Sequence, residues 1–250
     1  MVIPAGKVAA IVQARMGSTR LPGKVLSSIA NKPMLQHIVE RLRASRMIGS
    51  TILATTTLKE DNRLEDFAKN HRLACYRGEE QDVLARYYGA ATEFCVKVIV
   101  RICADDPLID PRIIDEVIHS HLGSDADYTF NGVVRTFPSG LDVEVFSYGA
   151  LEKAYNEAWK EYEREHVTPY IYLRPEIFKL KSVEALGKLK RPDLRLTVDT
   201  EDDLRLIREI FKRLYRVGQI FYTEDVIDLL DKHPELVAIN AHVVQKKLGE

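Results

Sequence analysis

Short apolar runs and amphipathic stretches alternate along the first half of the chain. The runs Val8–Gln13, Thr51–Thr55, Leu73–Tyr76 and Val96–Cys103 are largely apolar and only four to eight residues long, the pattern of strands covered on both faces. Between them, Pro33–Ser45 places Leu35, Ile38, Val39 and Leu42 on one helical face, and helical spacing returns near Asn62–Asn70 and Gln81–Glu93. Asp110 followed by Pro111 is an N-cap with proline at the first helical position, and it opens a further helix that runs through His121. Repeated βα units of this kind predict an α/β fold with a mainly parallel, Rossmann-like sheet covered by helices on both faces. Ligands of such sheets sit beyond the C-terminal strand ends, where the strand order reverses.

The texture changes near Asp127. From Tyr128 to Phe146 β-prone residues are interrupted by the turn signals Asn131-Gly132 and Pro138-Ser139-Gly140, as in an antiparallel ribbon. Two helical patterns follow, Tyr148–Trp159 and Tyr162–Leu173, before Leu194–Val198 reads as a returning core strand. The expectation is one domain over residues 1–250, with an inserted antiparallel and helical arm at about 127–180. An arm this apolar needs cover, so it is expected to build a homodimer and to border an acceptor substrate.

Composition narrows the function more by exclusion than by assertion. The 250 residues are 46% hydrophobic, enough for a sizeable core, and 36 basic against 37 acidic residues give a net charge of −1. No global basic field favours nucleic acid, so any anion site is local. No apolar run reaches membrane-spanning length, and Met1–Lys7 is too short and polar to form a leader with the run that follows. Cys75, Cys95 and Cys103 match no zinc spacing and suit a reducing cytoplasm. His119 and His121, two apart on a helix, point to different faces and are not a metal pair.

Local cation density is highest directly after the first strand. Ala14-Arg15-Met16-Gly17-Ser18-Thr19-Arg20-Leu21-Pro22-Gly23-Lys24 carries three fixed cations, Arg15, Arg20 and Lys24, in one loop at a strand's C-terminal end. Forked guanidinium groups, a lysine point charge and backbone N–H groups are what a nucleoside triphosphate requires. The glycines are out of register for a P-loop, and Val25 follows the lysine. An ordinary solvated turn would also hold basic residues, but apolar Leu21 and rigid Pro22 between the cations favour a loop of fixed shape. Thr55 ends the second strand and Arg86 lies on a helix approaching the same edge, so both are candidates to border the nucleotide; Arg86 could equally be the wet face of its helix.

Two other strands end in acids. Val96–Ala104 runs into Asp105-Asp106-Pro107, and Leu194–Val198 runs into Asp199-Thr200. Carboxylates at the active edge of a parallel sheet are the hard ligands that Mg²⁺ takes beside phosphate oxygens. Thr200 and Asp203 have capping-box spacing, so Asp199 could simply help start a helix.

The segment Gln13–Lys24 resembles the nucleotide-binding loop of the cytidylyltransferases that make CMP-activated sugar acids, the acylneuraminate and 3-deoxy-manno-octulosonate enzymes, and within them the spore coat polysaccharide biosynthesis protein F branch. Arg101–Asp110, Phe137–Phe146, Arg164–Tyr170 and Arg195–Thr200 extend the likeness over nearly the whole chain in family order. The resemblance implies transfer of CMP from CTP to a sugar or sugar-acid hydroxyl, with pyrophosphate released and Mg²⁺ bound through Asp105 and Asp199. The nucleotide is expected on Ala14, Arg15, Gly17, Ser18, Arg20 and Lys24, with catalytic roles for Arg15, Lys24 and Asp105; Glu144 and His166 are candidates for the acceptor, His166 equally a structural or interface residue. A sugar- or polyol-phosphate nucleotidyltransferase would share the loop and acids, a glycosyltransferase would release no pyrophosphate, and a non-catalytic nucleotide sensor would need no metal cage.

Overall fold

The computed structural model describes residues 8–245; Met1–Lys7, on which the reading of no leader rested, lies outside them. The strands are β1 (Val8–Gln13), β2 (Ser28–Ile29), β3 (Lys32–Pro33), β4 (Ser50–Thr56), β5 (Ala74–Gly78), β6 (Val98–Cys103), β7 (Tyr128–Phe130), β8 (Glu144–Ser147) and β9 (Leu180–Ser182). The helices are α1 (Met34–Ala44), α2 (Asn62–Asn70), α3 (Val83–Glu93), α4 (Pro111–Leu122), α5 (Tyr148–Glu157), α6 (Glu161–His166), α7 (Pro169–Tyr172), α8 (Glu201–Leu214), α9 (Thr223–Lys232) and α10 (Pro234–Val237). Seven strands form one sheet in the order β5-β4-β1-β6-β8-β7-β9, and β2 and β3 make a small antiparallel hairpin. Strands β5, β4, β1 and β6 are parallel. Because the chain leaves β1 toward β4 and later returns on its other side as β6, the order reverses at β1 and opens a crevice there.

Alternation along β1 divides the core. Val8, Ala10 and Val12 face α1, α2 and α4, whereas Ala9 and Ile11 face α3 and α5. A third apolar cluster joins α8, α9 and α10 to Leu21, Ile29 and Leu108, and so ties the C-terminal helices to the cationic loop.

The antiparallel ribbon expected within residues 127–180 is present and continues the main sheet: β8 pairs antiparallel with both β6 and β7, and α5 packs its apolar face into the same cluster as α3. The reason is burial, since Tyr128 and Phe146 are fully enclosed and a free ribbon would expose them. Two expectations are corrected. Leu194–Val198 is not a strand of the sheet. Leu194, Leu196 and Val198 do bury alternately, but into the third cluster, and among the described residues the only ladder contact is an isolated bridge between Ser139 and Arg195. β8 already occupies the free edge of β6, which leaves no place for another strand there. The helical pattern Tyr162–Leu173 breaks at Val167, whose φ of 72° leaves the helical region before Pro169 starts α7.

Candidate functional site

The loop after β1 is held in shape by its own backbone. The Met16 carbonyl accepts hydrogen bonds from the Ser18 and Gly23 N–H groups, both at 2.9 Å, which closes the loop on itself. The Met16 N–H donates to Asp61 Oδ1 at 2.7 Å, Leu21 is buried in the third cluster, and Gly23 sits at φ 71° where a side chain would be strained. Lys24 opens a short 3₁₀ turn, and its stem is buried beneath the loop.

The Lys24 ammonium is the meeting point of three chain segments. Nζ donates to Asp105 Oδ2 at 2.9 Å, to Asp199 Oδ1 at 2.9 Å and to the Val198 carbonyl at 2.7 Å. Val198 N–H in turn donates to the Asp105 carbonyl at 2.8 Å, so the extended 194–198 segment is stitched to the end of β6 without joining the sheet. Arg20 Nη2 also reaches Asp199 Oδ1, at 2.8 Å, while Arg195 Nη2 holds Oδ2 at 2.8 Å. Burial disfavours the charge on Lys24, but Asp105 and Asp199 outweigh it and its pKa rises; burial likewise opposes the Asp199 charge, and Lys24, Arg195 and Arg20 outweigh it and lower its pKa. Asp199 is thus both a member of this centre and the residue before the capping box of Thr200 and Asp203 that starts α8.

A cavity of about 790 Å³ opens above this centre. Ala14, Arg15, Ser18, Arg20, Lys24, Arg86, Asp105 and Asp199 all line it. Arg15 is half-exposed and, among the described residues, its side chain makes only a long contact to Glu80, at 3.4 Å. Arg86 is buried, donates to the Glu79 and Glu80 carbonyls at 2.8 and 2.9 Å, and leaves Nε unpartnered among the described residues. Burial, then the nearby charge of Arg15, lowers its pKa.

Four expected residues are placed elsewhere. Thr55 is wholly enclosed in β4 and does not line the cavity, because its side chain points into the core rather than beyond the strand end. Gly17 lies in the loop but not on the cavity wall, its α-carbon facing Glu60. Glu144 is buried, ion-paired with Arg101 and accepting a 2.8 Å hydrogen bond from the Tyr128 hydroxyl. His166 is half-exposed at the end of α6, with Glu165 as its nearest acid at 3.9 Å.

The structure adds residues that spacing does not reveal. Asp82 accepts from the Ala85 N–H to cap α3 and from Arg164 Nε at 3.0 Å, joining α3 to α6 on the cavity wall. An aspartate directly before a helix pattern signals the cap, but nothing signals an arginine 82 positions away. Cys103, Asp105 and Asp106 bring their ligand atoms within 4.8 Å of one another. Burial keeps the Cys103 thiol protonated, and burial with the Asp105 charge raises the Asp106 pKa.

The chain matches a family model described as cytidylyltransferase over residues 9–229. It is 39% identical over 244 residues to an uncharacterized protein of Methanocaldococcus jannaschii, covering 98% of each chain. It is 31% identical over 230 residues to the spore coat polysaccharide biosynthesis protein SpsF of Bacillus subtilis, covering 90% of this chain and 94% of that one. Among solved structures, a cytidylyltransferase from Leptospira borgpetersenii superposes with a TM-score of 0.87 at 31% identity, covering 96% of this chain and 99% of the other.

Proposed function

The chain belongs to the cytidylyltransferase family, a family of nucleotidyltransferases, and from that premise we propose that it transfers CMP from CTP to a hydroxyl of a sugar or sugar acid, releasing pyrophosphate, for a surface polysaccharide. The observation that carries this reading is the Lys24 ammonium, held at 2.9 Å from each of two carboxylates at the floor of a cavity lined by three arginines from the loop and α3.

Two carboxylates on a cavity floor are suitable oxygen donors for Mg²⁺, and Asp105 Oδ1 has no hydrogen-bond partner among the described residues. Both oxygens of Asp199 are engaged by cations, so a divalent ion bound there requires Lys24 or Arg20 to turn from the carboxylate toward phosphate. The residues fit on that condition, with Asp105 and Asp199 as its holders. Bound Mg²⁺ would offset charge on the phosphoryl oxygens and on the leaving pyrophosphate.

The chain's own groups do the rest. Arg15, half-exposed and weakly tied to Glu80, is free to swing onto the triphosphate, and Lys24 needs only a short movement to follow it. The acceptor oxygen forms its bond to the α-phosphorus as the bond to the pyrophosphate oxygen breaks, and the hydroxyl proton leaves to solvent. Positioning and charge neutralisation supply most of the acceleration in such transfers. Glu161, Arg164 and Glu165 form the wall assigned to the acceptor, close in sequence to His166. Pyrophosphate release, measured with each nucleoside triphosphate and a panel of sugar acids, neutral sugars and sugar phosphates, tests the reading. CTP with a non-phosphorylated acceptor is the expected pair; turnover only with a sugar phosphate, or none with any pair, overturns it.

The homodimer belongs to the same proposal. Val133, Val134, Leu173 and Ile177 are 44–55% exposed on the 127–180 segment, apolar surface that a second copy would cover. Sedimentation at micromolar concentration should give a dimer, and a monomer removes this part. Among the described residues no helix is long and apolar enough to cross a membrane.

A further inference from the structure

A second cavity, of about 360 Å³, lies between α1 and the C-terminal end of α8, away from the Lys24 centre. Its walls are aromatic. His37, Phe211, Tyr215 and Phe221 surround it, with Phe211 and Phe221 perpendicular at 5.2 Å between centroids and His37 4.4 Å from Phe211. His37 Nε2–H donates to the Ile29 carbonyl at 2.8 Å, and burial lowers the pKa of the ring, which is neutral.

Arg41 on this wall is only 3% exposed. Its guanidinium stacks 4.5 Å from the Phe221 ring centroid and donates one hydrogen bond, from Nη1 to the Phe221 carbonyl at 3.0 Å. It forms no ion pair among the described residues. The acid whose field bears most on it is Asp110, but the oxygens of Asp110 are taken by Arg112 and by the N–H and hydroxyl of Thr223. Burial pulls the Arg41 pKa down to about 10, so the group stays charged at neutral pH. A buried charge without a counter-ion is costly, and chains place one where something else supplies the anion. The neighbouring charges leave the cavity positive: Glu40 is neutralised by Lys32 at 2.7 Å, and Arg43 at the rim donates to the His71 carbonyl. The Tyr215 hydroxyl has no partner among the described residues.

We propose that this cavity is a binding site for a small anion on a flat apolar body, an aromatic carboxylate or an aryl phosphate. The anionic group pairs with the Arg41 fork, and the ring lies among Phe211, Tyr215 and Phe221. Forked guanidinium donors match the two coplanar oxygens of a carboxylate or two oxygens of a phosphate, and aromatic walls select a flat apolar body over inorganic anions. The site is bounded by α1, which follows the Lys24 loop through β2 and β3, and by α8, which begins just after Asp199.

Fluorine NMR of 4-fluorobenzoate and 4-fluorophenyl phosphate, each titrated against the full chain, tests the proposal. Saturable binding of the benzoate identifies a carboxylate site and of the aryl phosphate a phosphate site. The Arg41→Met variant should bind the preferred probe at least about tenfold more weakly, the value of a charge-assisted hydrogen bond. It should melt no lower than the wild type, because it removes an unpaired buried charge. Ala44→Trp, which enlarges an exposed lining residue without touching the buried charge, should block the probe as well, so the test survives if Arg41→Met does not fold. Lys24→Ala should bind the probe as the wild type does, which separates this cavity from the phosphate loop. Saturation by neither probe, full binding by both cavity variants, or loss of binding in Lys24→Ala overturns the proposal.

Discussion

Two buried cation–carboxylate centres lie four residues apart along the end of β6, and they are built in different ways. Arg101 and Glu144 face each other in register on the antiparallel pair β6 and β8, with the Tyr128 hydroxyl completing the set. Lys24, Asp105 and Asp199 come from three loops and meet on the floor of a cavity. In the first, two strands fix each partner, and neither side chain lines the cavity. In the second the same chemistry hangs on loops, and on the proposed function Lys24 would exchange a carboxylate for a phosphate without disturbing the sheet. Strand-registered pairs therefore serve stability, and loop-assembled pairs beside a cavity are available to a ligand.

The largest expected effect is on the strand-registered pair. Glu144→Gln leaves Arg101 buried without its counter-charge and should cost about 3–5 kcal/mol in urea or thermal unfolding, with turnover per folded molecule changed little. A variant of normal stability and much reduced turnover would instead return Glu144 to the acceptor side, for which the sequence makes it a candidate.

The loop-assembled centre should behave in the opposite sense. Lys24→Ala and Asp199→Asn should each lower turnover by about 10²–10³ while the chain stays folded, and the double variant should lose less than the product of the two. If Asp199 serves only to lead into α8, its asparagine variant leaves the Thr200–Asp203 capping box in place and stays active, and the contrast between the centres collapses.

Acid sensitivity sharpens the comparison. His121, buried on α4 with Nδ1 3.0 Å from the Thr129 hydroxyl, has its pKa pushed down to about 4 by burial. Its ordinary value is near 6.5, so the unfolded chain takes up the proton first, and stability falls as pH drops from about 6.5 toward 4, by on the order of 3 kcal/mol. Asp199 has the depressed pKa of a paired carboxylate, so its contribution holds above its unfolded value of about 3.8 and is lost only below that. Melting curves from pH 7 to 4.5 should therefore show a decline that is flattened in His121→Gln and unchanged in Asp199→Asn. The smallest effect is on the loop itself. Gly23→Ala, at φ 71° with its new Cβ 3.3 Å from the Met16 methyl, should cost about 1 kcal/mol, and no measurable loss would mean the loop relaxes freely.

What the sequence determined by itself is what short-range periodicity and backbone chemistry control. The apolar runs of β1, β4 and β6, the amphipathic face of α1 and the Asp110-Pro111 start of α4 all follow from neighbours within one or two turns, and each is found within a few residues of its expected place. The cationic loop and the two aspartates were legible for the same reason, as unusual residues at strand ends. Their common site was legible from strand ends assigned to one sheet edge and from resemblance, although Lys24 lies 81 and 175 positions from its two carboxylates. Tertiary structure decided the rest. Leu194–Val198 alternates like a strand because alternate burial needs only a surface to lie against, whereas joining a sheet needs a free edge, and β8 had taken the edge of β6. The same competition drew 127–147 into the sheet, and only the packing of α1 against α8 left Arg41 enclosed beside a cavity. Which edge is open and which charge is enclosed depend on segments far apart in the chain, and local pattern carries no record of them.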